Sequence, residues 1–185
     1  MVSTWHLRSA CRALAGGGVI IYPSEGVFGL GCRFDDPDAV MRVLSLKGRG
    51  YHKGLIILIN SIEQVEGLLD LRRISPEVLT VSWPGPVTWV IPASPHAPGW
   101  LTGGQSGMAV RQSAHPLIQN LTGRIGPLVS TSANPSGRSP ARTLLRARRY
   151  FPRGVDYFFP GELGGASGPT EIRDAVSGRV LRKGG

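Results

Sequence analysis

The sequence predicts an α/β domain with a mixed sheet. Short apolar runs such as Val19-Ile20-Ile21-Tyr22 and Leu55 to Ile59 have the length of buried strands, and stretches with helical spacing lie between them. Several of these runs follow one another without a crossover helix, which a regular doubly wound parallel sheet requires. At 185 residues the chain suits a single domain, 1–185, with room for a substantial core.

The elements follow in order. Trp5, Cys11 and Leu14 would line one face of a first helix, which Gly16-Gly17-Gly18 could end before the Val19–Tyr22 strand. Asp35, Asp36 and Pro37 are start signals for a helix from Asp38 to Leu46, where Val40, Val43 and Leu44 are apolar. After the Leu55–Ile59 strand, Ile62 to Leu71 reads as an amphipathic helix and Pro76 to Ser82 as a shorter one. Val87 to Ile91 and Met108 to Arg111 are strands, His115 to Leu121 a helix, and Leu128 to Thr131 a further strand. Arg142 to Tyr150 is a basic helix, and Glu171 to Arg182 suggests a hairpin turning at Ser177-Gly178.

Composition removes several function classes. Mean hydropathy is near zero and no apolar stretch approaches the ~20 residues that span a bilayer. The N-terminal stretch interleaves Arg8 and Arg12 with apolar residues and lacks the long apolar core of a secretory signal. Cys11 and Cys32 form no CxxC and point to reduced thiols in a cytosolic protein. The histidines at 6, 52, 96 and 115 are scattered, so no dedicated metal site is expected. The net charge of +9 and a pI near 10.5 instead predict attraction to phosphates, on nucleotides or on a polynucleotide.

Four segments put glycine, basic or polar groups directly beyond apolar strands, where open α/β sheets bind ligands. YPSEGVFGLG, Tyr22 to Gly31, is neither a P-loop nor GxGxxG; it suits a strand-turn-strand as well as a binding loop. SLKGRGYHKG places Lys47, Arg49, His52 and Lys53 among three glycines, more cations than a helix C-terminus needs, and reads as a mobile phosphate clamp. In SGMAVRQSAHP, Arg111 ends a buried strand and needs a carboxylate or phosphate partner, external or internal. In PLVSTSANPSGRSPART, Ser132 and Asn134 could orient a polar ligand or simply form a turn.

YPSEGVFGLG, KGRG, SWPGPVTWVIP, MAVRQSAHPL, STSANPSG and PTEIRD, in that order, closely resemble the YrdC/Sua5 family over nearly the whole chain. The match is nearest to its short bacterial form, the threonylcarbamoyl-AMP synthases. The resemblance implies an open, twisted, mixed sheet flanked by helices around a basic cavity, and no additional C-terminal domain of the kind longer relatives carry. The activity it implies joins L-threonine, bicarbonate and ATP into threonylcarbamoyl-adenylate and pyrophosphate. That product serves the t6A modification of position 37 in tRNAs reading ANN codons, through a downstream tRNA threonylcarbamoyl-transfer complex in the cytoplasm.

By the same resemblance the K-x-R…S-x-N tetrad, catalytic in the family, falls on Lys47, Arg49, Ser132 and Asn134. Lys47, Arg49 and Asn134 would face ATP, together with Arg142 and Arg182; Arg111, Ser132 and Thr170 would face threonine. Mg²⁺ would arrive with ATP, with no metal held by the protein itself. Two positions depart from the family pattern: Gly26 replaces a hydroxyl residue, and Leu58 stands where some relatives have a histidine near threonine.

The residue types agree with that chemistry. A carbamate formed on the threonine amine is itself the nucleophile at the α-phosphate, so neither a Ser-His nor a Cys-His pair is required. The competing reading is a double-stranded RNA or tRNA-binding module without catalysis, with Arg146, Arg148 and Arg149 as its outer patch. Even for the enzyme, a tRNA or RNA contact through the basic surface is expected.

Overall fold

The computed structural model describes residues 3–185. Its helices are α1 (Thr4–Ala15), α2 (Pro37–Lys47), α3 (Pro76–Thr80), α4 (Gly99–Thr102), α5 (Pro116–Ile125) and α6 (Leu144–Tyr150). Its strands are β1 (Ile20–Pro23), β2 (Phe28–Arg33), β3 (Ile56–Ile59), β4 (Val87–Pro92), β5 (Gly107–Gln112), β6 (Leu128–Ser132), β7 (Tyr157–Phe158), β8 (Glu171–Asp174) and β9 (Val180–Arg182). All nine join one sheet in the order β7-β1-β2-β6-β3-β5-β4-β8-β9. It is mixed: β1/β7, β3/β5 and β4/β8 run parallel and the other neighbours antiparallel.

Local chemistry sets the helix ends. The Asp36 side chain accepts from the Ala39 N–H at 2.9 Å, Pro37 opens α2, and Gly48 closes it in the left-handed conformation at φ 57°. Thr143 caps α6 by accepting from the Arg146 N–H at 3.2 Å. In α1 the buried face is Leu7, Ala10 and Leu14, while Trp5 is 67% exposed. Nine residues before Leu14 at ~100° each is half a turn round, so Trp5 cannot share that face.

One further expectation is corrected, and other features fill in what the sequence left open. Residues 62–71 form no amphipathic helix but successive 3-10 turns, with Gly67 inside the second and Leu69 bridging to Ala93. The segment Phe28–Arg33, which the sequence left open between strand and loop, is β2. The strand β7 and the helix α4 had no counterpart in the sequence reading. Leu58 points into the core.

Alternation along the strands divides the core between the two faces of the sheet. On one face Ile21, Ile57, Ile59 and Val129 pack with Val40, Val43 and Leu44 of α2. On the other, Ile20, Tyr22, Leu58 and Leu128 pack with residues of α1 and α5, among them Leu14 and Ile118. Leu58 is fully buried there. Leu58→Ala is therefore expected to cost about 2–5 kcal/mol of stability, read as a lowered urea midpoint at unchanged m-value.

Candidate active site

The second face of the sheet is covered by α1 and α5 over only part of its extent. The register carries one row of residues across it: Gly29 lies opposite Ser132, Gly31 opposite Ser130, Ser130 opposite Ile56, Ile56 opposite Ala109, and Ala109 opposite Val90. Apart from Ile56 and Val90 these residues are small or polar, and towards this end of the strands the face opens into a cavity of about 430 Å³. Gly29 and Gly31 leave room for the Tyr22 ring, whose hydroxyl donates to Ser130 Oγ at 2.7 Å.

The charged lining is cationic. Arg49, Lys53, Arg111 and Arg182 border the cavity with His52, and no Asp or Glu stands among the lining residues. Arg49 donates to the carbonyls of Lys53 (3.0 Å) and Gly54 (3.1 Å), pinning the glycine-rich loop that follows α2. Arg182 donates to the Thr170 carbonyl at 2.7 Å. Burial and then the like charges of Arg111 and Arg49 hold the Arg182 guanidinium below its usual pKa, which marks the convergence of three cations.

Arg111 is buried, and its partner is internal: Nη2 lies 3.1 Å from the Glu25 carboxylate. Its Nη1 donates to Thr170 Oγ1 at 2.7 Å, and Thr170 Oγ1 lies 3.5 Å from Thr88 Oγ1. Arg111 Nε keeps no protein partner. The structure thus brings Arg49, Arg111, Ser132, Thr170 and Arg182 to one cavity.

Lys47, Asn134 and Arg142 do not line it; they hold its walls. Lys47 Nζ donates to the carbonyls of Ser132 (2.5 Å) and Asn134 (2.9 Å) and to Asn134 Oδ1 (3.3 Å). The Asn134 amide donates in turn to the carbonyls of Pro135 (3.0 Å) and Arg138 (2.7 Å), so its side chain is spent on the turn. Arg142 donates to the Ser167 carbonyl, tethering the segment that leads to Thr170. Leu58 is also absent from the lining, so a leucine there alters the core and not the cavity wall. Gly26 does line it, and a Cβ on Gly26 would stand 2.0 Å from the Gly168 carbonyl oxygen. Sequence reasoning missed Glu25 and Ser113; the only signal was a lone acid inside YPSEG, upstream of a buried arginine. Among the described residues, no group of three or more His, Cys, Asp or Glu converges as metal ligands, and no helix is long and apolar enough to cross a membrane.

Residues 12–184 match the family model Sua5/YciO/YrdC, described as telomere recombination. The chain belongs to the Sua5/YciO/YrdC family. Among relatives, it is 46% identical over 183 residues to a threonylcarbamoyl-AMP synthase of Stutzerimonas stutzeri, covering 98% of this chain and 99% of that one. It is 49% identical to a threonylcarbamoyl-AMP synthase of Methylococcus capsulatus, with 98% of each covered. Among solved structures of the family, P. abyssi Sua5 complexed with L-threonine superposes with a TM-score of 0.87 at 31% identity, over all of this chain and 56% of that one. This chain therefore spans little more than half of that Sua5 protein. E. coli YciO, at 20% identity and TM-score 0.83 over 98% of this chain and 90% of that one, shares the fold.

Burial, followed by the neighbouring Arg49 charge, lowers the Lys47 pKa from 10.5 to about 8. Between those two values the unfolded chain binds the proton and the native state does not, so this contribution to stability rises as pH climbs from about 8 towards 10.5. Lys47 is one of three lysines in the chain. NMR of 13C-labelled lysine Cε should show it titrating near pH 8.

Proposed function

We propose that the protein is a threonylcarbamoyl-AMP synthase, converting L-threonine, bicarbonate and ATP to L-threonylcarbamoyladenylate and pyrophosphate. The observation that carries this is the convergence of Arg49, Arg111 and Arg182 on one cavity whose lining includes no carboxylate. Relatives 46–49% identical over nearly the entire chain are threonylcarbamoyl-AMP synthases.

In this reading the threonine amine adds to carbon dioxide from bicarbonate, forming an N–C bond and losing a proton. A carbamate oxygen then attacks the α-phosphate, and the bond to the β-phosphate oxygen breaks as pyrophosphate leaves. Arg49 and Arg182 stabilise charge on the phosphates, the work that positioned cations do in phosphoryl transfer. Arg111 and Thr170 meet the threonine carboxylate end, and Ser132 supplies a neutral hydroxyl beside it. Lys47 and Asn134 act through the strand end they fix, and Arg142 through the segment it tethers. Mg²⁺ would arrive with ATP and would neutralise charge on its phosphates.

The adenylate then serves t6A formation at position 37 of tRNAs reading ANN codons, in the cytoplasm, through a separate tRNA threonylcarbamoyl-transfer complex. An RNA contact belongs to the outer face of α6, where Arg146 and Arg149 are exposed.

The test is pyrophosphate release by the purified protein with single substrates omitted. Release should need ATP, threonine and bicarbonate together, with a product of threonylcarbamoyl-AMP mass. Arg49→Ala should lower turnover by about 100-fold or more, the loss typical of removing one donor to a developing anion. No turnover, with RNA binding that collapses as salt rises, would establish the binding module instead.

A further inference from the structure

The partner of Arg111 stands behind the cavity wall and is itself held on two sides. Ser113 Oγ donates to Glu25 Oε1 at 2.6 Å, and the same hydroxyl accepts from the His115 N–H at 3.1 Å. The Glu25 carbonyl accepts from the Ala166 N–H at 2.9 Å, and the Ser24 carbonyl from the Gly164 N–H at 2.9 Å. Glu25 is buried and is not among the residues lining the cavity. Two guanidinium nitrogens of Arg111 are thereby engaged, Nη2 in an ion pair with Glu25 Oε2 and Nη1 in a hydrogen bond to Thr170, while Nε is buried without a partner.

We propose that Glu25 is a positioning residue for amino-acid recognition. It locks the Arg111 guanidinium in the cavity wall, where the guanidinium meets the substrate carboxylate. It also balances the one cation of the cavity that would otherwise compete for the phosphates. The charge pattern supports this division: Arg49 and Arg182 have only backbone carbonyls as partners and stay available to a polyanion, whereas Arg111 alone among the three is paired with an acid. A guanidinium already matched to a carboxylate in the protein offers a weaker field to a triphosphate but keeps its geometry for a single carboxylate.

The proposal rests on the synthase reading, and the experiment separates the two. Threonine and ATP saturation curves are measured by pyrophosphate release on the unchanged protein, on Glu25→Gln and on Ser113→Ala, with thermal midpoints alongside. Glu25→Gln should raise the threonine KM about tenfold or more and leave the ATP KM within about twofold, the signature of lost ground-state binding for one substrate. Inhibition by inorganic pyrophosphate should strengthen in the same variant, because Arg111 is then an unbalanced cation. Ser113→Ala keeps both charges and should shift the threonine KM in the same direction by less; it decides the matter if Glu25→Gln does not fold. Equal changes in both KM values, or a lowered thermal midpoint with the threonine KM unchanged in both variants, would overturn the positioning role while the synthase reading stands. Absence of threonine-dependent turnover in the unchanged protein would overturn both.

Discussion

A guanidinium buried beside the centre of a sheet must be paired, and the partners of Arg111 organise the site around it. Its acid comes from the turn between β1 and β2, and its hydroxyl from the segment entering β8. Neither lies close to Arg111 in sequence, so the ion pair and its hydrogen bond tie together three separate parts of the chain. Thr88 beneath Thr170 and Ser113 behind Glu25 extend the network into the neighbouring strand β4 and the loop before α5. Removing one partner from such a network leaves a buried group unmatched, which costs more than the interaction gains when made. A cavity with such a wall is formed before any ligand arrives.

The same sheet face serves two purposes because alternation distinguishes faces but not positions along a strand. Leu58 and Leu128 are core, whereas Ile56 and Ser130, two residues away on the same face, border the cavity. The boundary is set by where α1 and α5 stop covering the sheet. Lys47 supports the open side from the opposite direction. Its ammonium collects two carbonyls and an amide oxygen at the end of β6, where the strand leaves the sheet. Three acceptors around one buried cation replace the hydration it loses.

Elements with local signals were legible in the sequence. Apolar runs announced β1, β3 and β6, and Asp36-Pro37 with Gly48 bracketed α2 as a cap, an opening residue and a stop. Non-local causes hid the rest. The alternation of β2 is interrupted by Gly29 and Gly31, whose missing side chains make sense only with the Tyr22 ring from the next strand over them. Ile62, Val65 and Leu69 have helical spacing, but Gly67 weakens the helix and pairing of Leu69 with Ala93 draws the segment to the sheet. In the site, the cations Arg49, Arg111 and Arg182 were visible as residue types out of balance with their surroundings. What the sequence could not separate was a lysine or asparagine facing a ligand from one holding a turn. Lys47 and Asn134 have the same chemistry either way, and only the carbonyls around them distinguish the two. Glu25 was hidden for the opposite reason: its partner lies 86 positions away in the sequence.

Gly26 changes what kind of group forms the adjacent wall. The space a side chain would occupy is taken by the Gly168 carbonyl oxygen, so a main-chain acceptor stands in place of a side-chain group. A point mutation at position 168 changes the side chain and leaves its carbonyl in the chain. This part of the wall is therefore shielded from ordinary substitution drift, and its natural route of divergence is the gain or loss of residues in the loop that carries it.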